Sequence, residues 1–242
     1  MSAIDIDAII LVGGKGTRLQ DVVSDRPKPM VIVAGRPFVE WLLLMLYDQG
    51  IRRAIMCTGH MGEAVEAYFD NGRDLNMEIV YARDPFPLGT GGAVRNALDK
   101  TDSKRLLILN GDSYFRLDLP SFLKTHLALN ARASISLVQI EDSSRYGSVK
   151  INKNGIVLGF LEKSSRRHKG LINAGIYLLE REVVEEIPEG KMISLEREIF
   201  PNLIGTGIYG MLYNKLFTDI GTPESFNKAE KILKSEFEYL SQ

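Results

Sequence analysis

The chain has 242 residues, 45% of them hydrophobic and 25% charged, which is ordinary globular composition. Its 30 basic and 31 acidic residues leave a formal net charge of -1, so no overall field exists to hold nucleic acid or an anionic membrane, and phosphate handling must rest on a few placed cations. One cysteine, Cys57, rules out an internal disulfide and a cysteine metal knuckle and fits a reducing, cytoplasmic setting; the first apolar run, residues 8–12, is too short for a signal-peptide core or a membrane span.

Residues 8–12, Ala-Ile-Ile-Leu-Val, form a continuous apolar run ending in Gly13-Gly14, the pattern of a strand buried on both faces with a glycine turn behind it. Residues 37–49 place Phe38, Leu42, Met45 and Leu46 on one helical stripe, with Gly50 just past the end. A strand is predicted over 53–58, a helix near 63–69, a third strand over 78–82, a glycine-led helix over 90–98 and a fourth strand over 105–109, which runs into Asn110-Gly111-Asp112. Strands alternating with helices predict an α/β fold with a mostly parallel, three-layer Rossmann-like sheet, whose ligands collect beyond the carboxyl ends of the strands. Both Gly13-Gly14 and Asn110-Gly111-Asp112 fall at such ends. After about residue 130 the pattern changes to strands at 134–140, 148–152, 156–162 and 171–179 and two more within 208–219, read as added strands forming a lid. Residues 223–240 close the chain as a helix, with Thr222 as its cap and Pro223 at the first helical position. Without a repeat or linker, 1–242 reads as one domain.

The loop after the first strand, Leu11-Val-Gly-Gly-Lys-Gly-Thr-Arg-Leu19, is glycine-rich and opens a helix, so its N–H groups suit phosphate. It lacks the spacing of a P-loop. It also lacks the third glycine of a dinucleotide fingerprint, where Leu19 stands, and the strand ending at Thr58-Gly59 carries no acid for a ribose, which disfavours a dehydrogenase. Arg18 and Lys28 add cations, and Pro27 and Pro29 are expected to hold Lys28 in a stiff, extended segment. His60, His126 and His168 have no metal-ligand spacing, and there is no nucleophile elbow.

Leu-x-Gly-Gly-x-Gly-Thr-Arg-Leu followed by Pro-Lys-Pro resembles the signature of the sugar-1-phosphate nucleotidyltransferases, and the resemblance runs from about residue 7 to 226. It implies a GT-A-like nucleotide-diphospho-sugar transferase fold, with about 1–130 as the nucleotide-binding half and about 131–242 as the sugar-binding half and C-terminal helix. It further implies that Leu11, Gly13, Gly14, Lys15, Gly16 and Thr17 wrap the nucleotide, with Arg18 and Lys28 as catalytic cations. A second loop carrying Gly89, Thr90 and Gly91, together with Gly111, would lie against the base and ribose; a helix start with Thr90 as its cap is the plainer alternative, and the two are compatible. Asp112 and Asp219 would hold Mg2+, a hard cation suited to carboxylates, although a turn acid and a capping acid are the plainer readings. Tyr146, Gly147, Glu162, Lys163, Asn173 and Gly175 would receive the sugar phosphate, although an exposed ion pair explains Glu162 and Lys163, and a bulge explains Gly175.

Segments 22–30, 144–148 and 170–177 most resemble the D-glycero-D-manno-heptose 1-phosphate guanylyltransferases. That resemblance implies GTP and a heptose 1-phosphate as partners, with GDP-heptose as a product for cell-surface polysaccharide or S-layer glycan. Uridylyl or thymidylyl transfer to a hexose or N-acetylmuramic acid phosphate is the nearest alternative. A catalytically silent sugar-nucleotide sensor on the same fold is another. No nucleic acid or membrane partner is expected, and the sequence is compatible with a homo-oligomer.

Overall fold

A computed structural model describes residues 6–14, 26–161 and 167–240. In chain order the strands are β1 (Asp7–Leu11), β2 (Ile32–Val33), β3 (Arg36–Pro37), β4 (Arg53–Thr58), β5 (Glu78–Arg83), β6 (Arg105–Asn110), β7 (Ser113–Phe115), β8 (Ala133–Ile140), β9 (Ser148–Ile151), β10 (Val157–Leu161), β11 (Gly170–Glu180), β12 (Ile208–Tyr213) and β13 (Phe217–Asp219). The helices are α1 (Phe38–Asp48), α2 (Gly62–Phe69), α3 (Gly89–Asn96), α4 (Leu119–Ala128), α5 (Arg181–Glu185), α6 (Phe200–Asn202) and α7 (Pro223–Leu240), with a π-helical turn at Leu195–Ile199 just before α6. No described helix is long and apolar enough to cross a membrane.

Strands β5, β4, β1 and β6 are parallel neighbours in that order. Next comes β11, antiparallel to both β6 and β8, and β12 completes that side parallel to β8. Strands β9 and β10 extend the same sheet from the first half of β11, so it runs unbroken through both halves of the chain. This is the mostly parallel sheet the sequence predicts, with β11 and the edge strand β10 running against it. The chain lays β4 and β5 on one side of β1 and then returns to lay β6 on the other, which makes the carboxyl end of β1 a switch point.

Alternate residues of the central strands feed two cores. Ala8, Ile10, Ala54, Met56, Leu107 and Leu109 pack with α1, α2, α4 and α7. Ile9, Ile55, Cys57 and Ile108 pack on the other face with α3, α5 and α6. A strand covered on both faces has no polar side, which is why these runs are uninterruptedly apolar. His126, which the sequence leaves as either a surface or a packing residue, is fully buried, its ring nitrogens beside the Ser134 hydroxyl at 2.8 Å and the Glu180 carboxylate at 3.1 Å.

Three local expectations are corrected. Lys28–Met30 is a 3-10 turn closed by Met30 N–H donating to the Pro27 carbonyl, so the proline-flanked lysine is curled rather than extended. A proline at the second position fits such a turn, because its missing N–H is not needed there. The glycines of the second loop lie inside α3 rather than before it, and Thr90 is not the cap. Short pieces without periodicity, namely β2 with β3, β7, α5 and the π turn, escape the sequence reading.

The cap of α7 is the one the sequence suggests. The Thr222 hydroxyl accepts from Ser225 N–H at 3.2 Å, while Thr222 N–H donates to the Ser225 hydroxyl at 3.0 Å, a reciprocal box. Thr222→Ala is expected to lower the unfolding free energy by about 1 kcal/mol in urea denaturation.

Candidate active site

The site begins where strand ends crowd together. Leu11 carbonyl accepts from Gly111 N–H at 3.0 Å, and a Cβ on Gly111 would come within 2.6 Å of that oxygen. A Cβ on Gly13 would come within 3.0 Å of Gly59 N, and one on Gly59 within 3.0 Å of Gly13 O. These glycines are needed because backbones touch at the heads of β1, β4 and β6. Gly14, by contrast, faces open space.

Beyond these ends lies a cavity of about 590 Å³. Leu11, Gly13 and Gly14 line it from β1, Cys57, Gly59 and His60 from β4, and Gly89 and Thr90 from α3; Asp84, Phe86 and Met192 complete it. Gly89 has φ of +69° and lies under Ile193, and a Cβ on Gly92 would fall 2.3 Å from the Lys191 carbonyl oxygen. The room left by these glycines is thus filled by the chain's own segment 191–195. The Thr90 hydroxyl, which the sequence offers to a base edge, donates to Glu196 at 2.7 Å and accepts from Leu195 N–H at 2.8 Å.

Asp84 follows β5, the strand next to β4. Burial pushes its carboxyl up to about 6, with a hydrogen bond from Asn96 Nδ2 at 3.2 Å pulling the other way. Cys57 is buried beneath the cavity, and desolvation pushes its thiol far above the ordinary range, so the cysteine stays protonated and inert.

On the other side of Leu11 sits the charged cluster. Lys28 Nζ pairs with Asp112 Oδ2 at 2.6 Å. The short ribbon of β7 against β13 sets Asp219 opposite Ser113, next to Asp112, and Ile220 N–H donates to the Asp112 carbonyl at 3.1 Å. Asp219 Oδ1 accepts from Gly221 N–H at 2.5 Å and the Ser225 hydroxyl at 3.0 Å. Its Oδ2 accepts from the Tyr146 hydroxyl, with Arg145 at 3.5 Å. Burial, then the Asp219 contact, pushes the Tyr146 phenol far above its usual range, so it remains a donor. The sequence assigned Asp219 to this neighbourhood but gave no hint that Arg145 and the Tyr146 hydroxyl hold it.

Two neighbouring carboxylates, Asp219 at the end of β13 and Asp112 just before β7, are hard oxygen donors of the kind Mg2+ takes alongside phosphate oxygens, so the residues fit that ion. Among the described residues no group of three or more acids, histidines or cysteines forms an all-protein cage.

On the sheet's far half, Gly175 has φ of +80° at an irregularity in the β11–β8 register, and a Cβ there would press 3.2 Å from Asn110. Asn173 donates to the Tyr177 hydroxyl at 2.8 Å and accepts from Gly175 N–H at 2.8 Å. Tyr177, fully buried, donates on to Glu196 at 3.1 Å. Gly147 backs onto the Leu161 carbonyl. Lys15, Gly16, Thr17, Arg18, Glu162 and Lys163 lie outside the described residues. Asp84 and Glu196 were missed. Asp84 could have been found as the acid closing the third strand; Glu196 sits in an irregular turn with no pattern to mark it.

A switch-point cavity beside a lysine and two carboxylates is the layout of an enzyme that handles nucleoside phosphates, and the chain belongs to the nucleotidyl transferase family, whose pattern it matches over residues 7–236. It is 38% identical over 229 residues to the mannose-1-phosphate guanylyltransferase of Mycobacterium tuberculosis, covering 93% of this chain but 64% of that one. It is 36% identical over 230 residues to the D-glycero-alpha-D-manno-heptose 1-phosphate guanylyltransferase of Aneurinibacillus thermoaerophilus, covering 95% of this chain and 99% of that one. The crystal structure of HddC from Yersinia pseudotuberculosis complexed with GMP-PN superposes with a TM-score of 0.84 at 35% identity, over 94% of this chain and 99% of that one.

The raised carboxyl of Asp84 has a consequence for stability. An unfolded aspartate ionises near pH 4, whereas the folded one resists until about 6, so stability falls as pH rises through that window and the cost persists above it. Asp84→Asn is expected to stabilise the nucleotide-free protein by about 1 kcal/mol near pH 7.5, discounted for its half-exposed position, and by nothing below about pH 4. Urea denaturation at the two pH values measures both.

Proposed function

We propose that the protein joins GMP from GTP to D-glycero-alpha-D-manno-heptose 1-phosphate, releasing pyrophosphate and forming GDP-heptose. The observation that carries the reading is the lysine held by Asp112 beside Asp219, across the head of β1 from the cavity. Support for the guanylyl and heptose assignment comes from the relatives. The Aneurinibacillus heptose enzyme matches over nearly its whole length, whereas the Mycobacterium mannose enzyme extends well beyond the match. The 38% identity to that mannose enzyme favours mannose 1-phosphate as a second reading of the sugar.

The sugar phosphate is already an anion at neutral pH, so its oxygen needs no general base to attack the α-phosphorus in line with the departing pyrophosphate. The obstacle is repulsion between anions and charge building at phosphorus. Lys28 meets it as a cation already oriented by Asp112, so little entropy is spent on placing it during the reaction. Arg18 and Lys163 would add charge at the nucleotide and sugar phosphates. The glycine turn at Gly13 and Gly14 would admit the nucleotide close to the backbone. Asp112 and Asp219 would hold Mg2+, which when bound supplies positive charge to phosphate oxygens. Arg145 and Tyr146 keep Asp219 oriented from the loop before β9.

Supplying GTP, UTP, dTTP and CTP with a panel of sugar 1-phosphates that includes the heptose and mannose forms, and following pyrophosphate, tests the proposal. GTP with the heptose phosphate is expected to turn over fastest. Uridylyl or thymidylyl transfer would replace the reading, and nucleotide binding without pyrophosphate release would make the protein a sensor. Lys28→Ala and Asp112→Ala should each lower kcat by at least about a hundredfold in folded protein.

A further inference from the structure

We infer that Arg145 is a positioning residue that keeps Asp219 closed to a divalent ion until the phosphate of the sugar substrate draws its guanidinium away. The inference deepens the nucleotidyl-transfer reading above and rests on it.

The two acids of the charged cluster are not equally available. Asp112 accepts Lys28 on Oδ2 and the Ser113 hydroxyl on Oδ1, and its side chain is 40% exposed. A carboxylate offers about four acceptor positions, so Asp112 keeps about two in reserve. Asp219 keeps none. Gly221 N–H and the Ser225 hydroxyl fill its Oδ1, the Tyr146 hydroxyl and Arg145 fill its Oδ2, and the side chain is only 10% exposed. Asp219 can therefore take an ion only by releasing a donor.

Which donor yields follows from how each is held. Gly221 gives a backbone N–H, and Ser225 is buried and tied into the cap of α7. The Tyr146 ring packs edge-on against Phe217 of β13, with centroids 5.8 Å apart, and its N–H donates to the Ser143 carbonyl. Arg145 is the loose one. It reaches Asp219 at 3.5 Å, shares the same Nη2 with the Tyr146 hydroxyl at 3.3 Å, and is 41% exposed. A long pair open to solvent is weak and gives way to a stronger charge.

Asp219 is the one acid that Arg145 pairs with among the described residues, so a displaced guanidinium needs a new anion. The loop that carries it joins β8 to β9 on the far half of the sheet and leads into Gly147. That loop is braced where Ser143 donates its N–H and its hydroxyl to the His168 carbonyl, so the side chain can turn while the backbone stays. A guanidinium suits a phosphate monoester, because two of its N–H groups match two phosphate oxygens. The exchange ties the release of Asp219 to the arrival of the sugar phosphate. Full charge compensation is then assembled only with both substrates in place.

Mn2+ is the probe ion, its free concentration followed by electron paramagnetic resonance. The full chain is held in excess over guanosine 5′-(α,β-methylene)triphosphate, whose bridging carbon blocks transfer. In the wild type, D-glycero-alpha-D-manno-heptose 1-phosphate or mannose 1-phosphate is expected to tighten Mn2+ at least about tenfold, and the same sugars without phosphate to leave it unchanged. In Arg145→Ala, Mn2+ should bind at least about fivefold more tightly than in the wild type before any sugar phosphate is added. The sugar phosphate should then add less than about twofold. A residue that only braced the loop would weaken Mn2+ on removal, and that result overturns the inference. An Arg145→Ala protein with the full sugar-phosphate effect overturns it too, since plain repulsion between Arg145 and the ion would raise affinity equally with and without the sugar. A wild type in which sugar phosphate leaves Mn2+ unchanged does the same, with no variant that has to fold. The transfer reading fails differently: the triphosphate then binds Mn2+ no more tightly with the protein than without it.

Discussion

At the head of β1 three backbones lie closer together than side chains would permit. Gly111 donates to Leu11, and Gly13 rests against Gly59. With β4 on one flank and β6 on the other, the chain can leave the sheet here only through glycine. That constraint divides the edge into two compartments. On the β4 and β5 side the strand ends open into the cavity, and on the β6 side they lead directly into Asp112. A side chain at Gly111 would drive β1 from β6 and pull the cavity away from the charged cluster.

The charged cluster is assembled from parts of the chain that meet only in the folded protein. Asp112 follows β6, Asp219 ends β13, Lys28 stands in a proline-flanked turn, and Tyr146 precedes β9. The ribbon of β7 and β13 is what brings the two acids side by side. Each acid is held by a donor from elsewhere, Lys28 for Asp112 and Tyr146 for Asp219. Neighbouring like charges repel, and the cations Lys28 and Arg145 paired with the two acids offset that repulsion.

The elements with strong periodicity were legible in the sequence. The buried strands β1, β4 and β6 are continuous apolar runs, and α7 shows one apolar stripe, because burial on two faces or on one leaves distinct patterns. Strand β7, which pairs with the predicted β13, carries no such pattern, since its role is to join rather than to cover a core. Lys28 was legible as a placed cation but not as a curled one: two flanking prolines fix φ without choosing between an extended segment and a 3-10 turn. The glycines at 89, 91 and 92 were legible as points of close approach, yet the neighbour that approaches them, segment 191–195, is distant in sequence and has no signature of its own. Asp84 was hidden for a related reason, because a single acid at the end of a strand looks like any turn residue until the cavity around it is seen.

Glu196 fastens the two halves of the sheet to each other. One of its oxygens takes the Thr90 hydroxyl from α3, and the other takes the Tyr177 hydroxyl, to which Asn110 and Asn173 both donate. Partly buried bonds of this kind are costly to leave unmade, so a displacement on one side has to be absorbed on the other. The floor of the cavity and the bend in β11 therefore behave as one mechanical piece. Substitutions in this knot would be felt at both ends of the cleft at once, although none of its members lies beside Lys28.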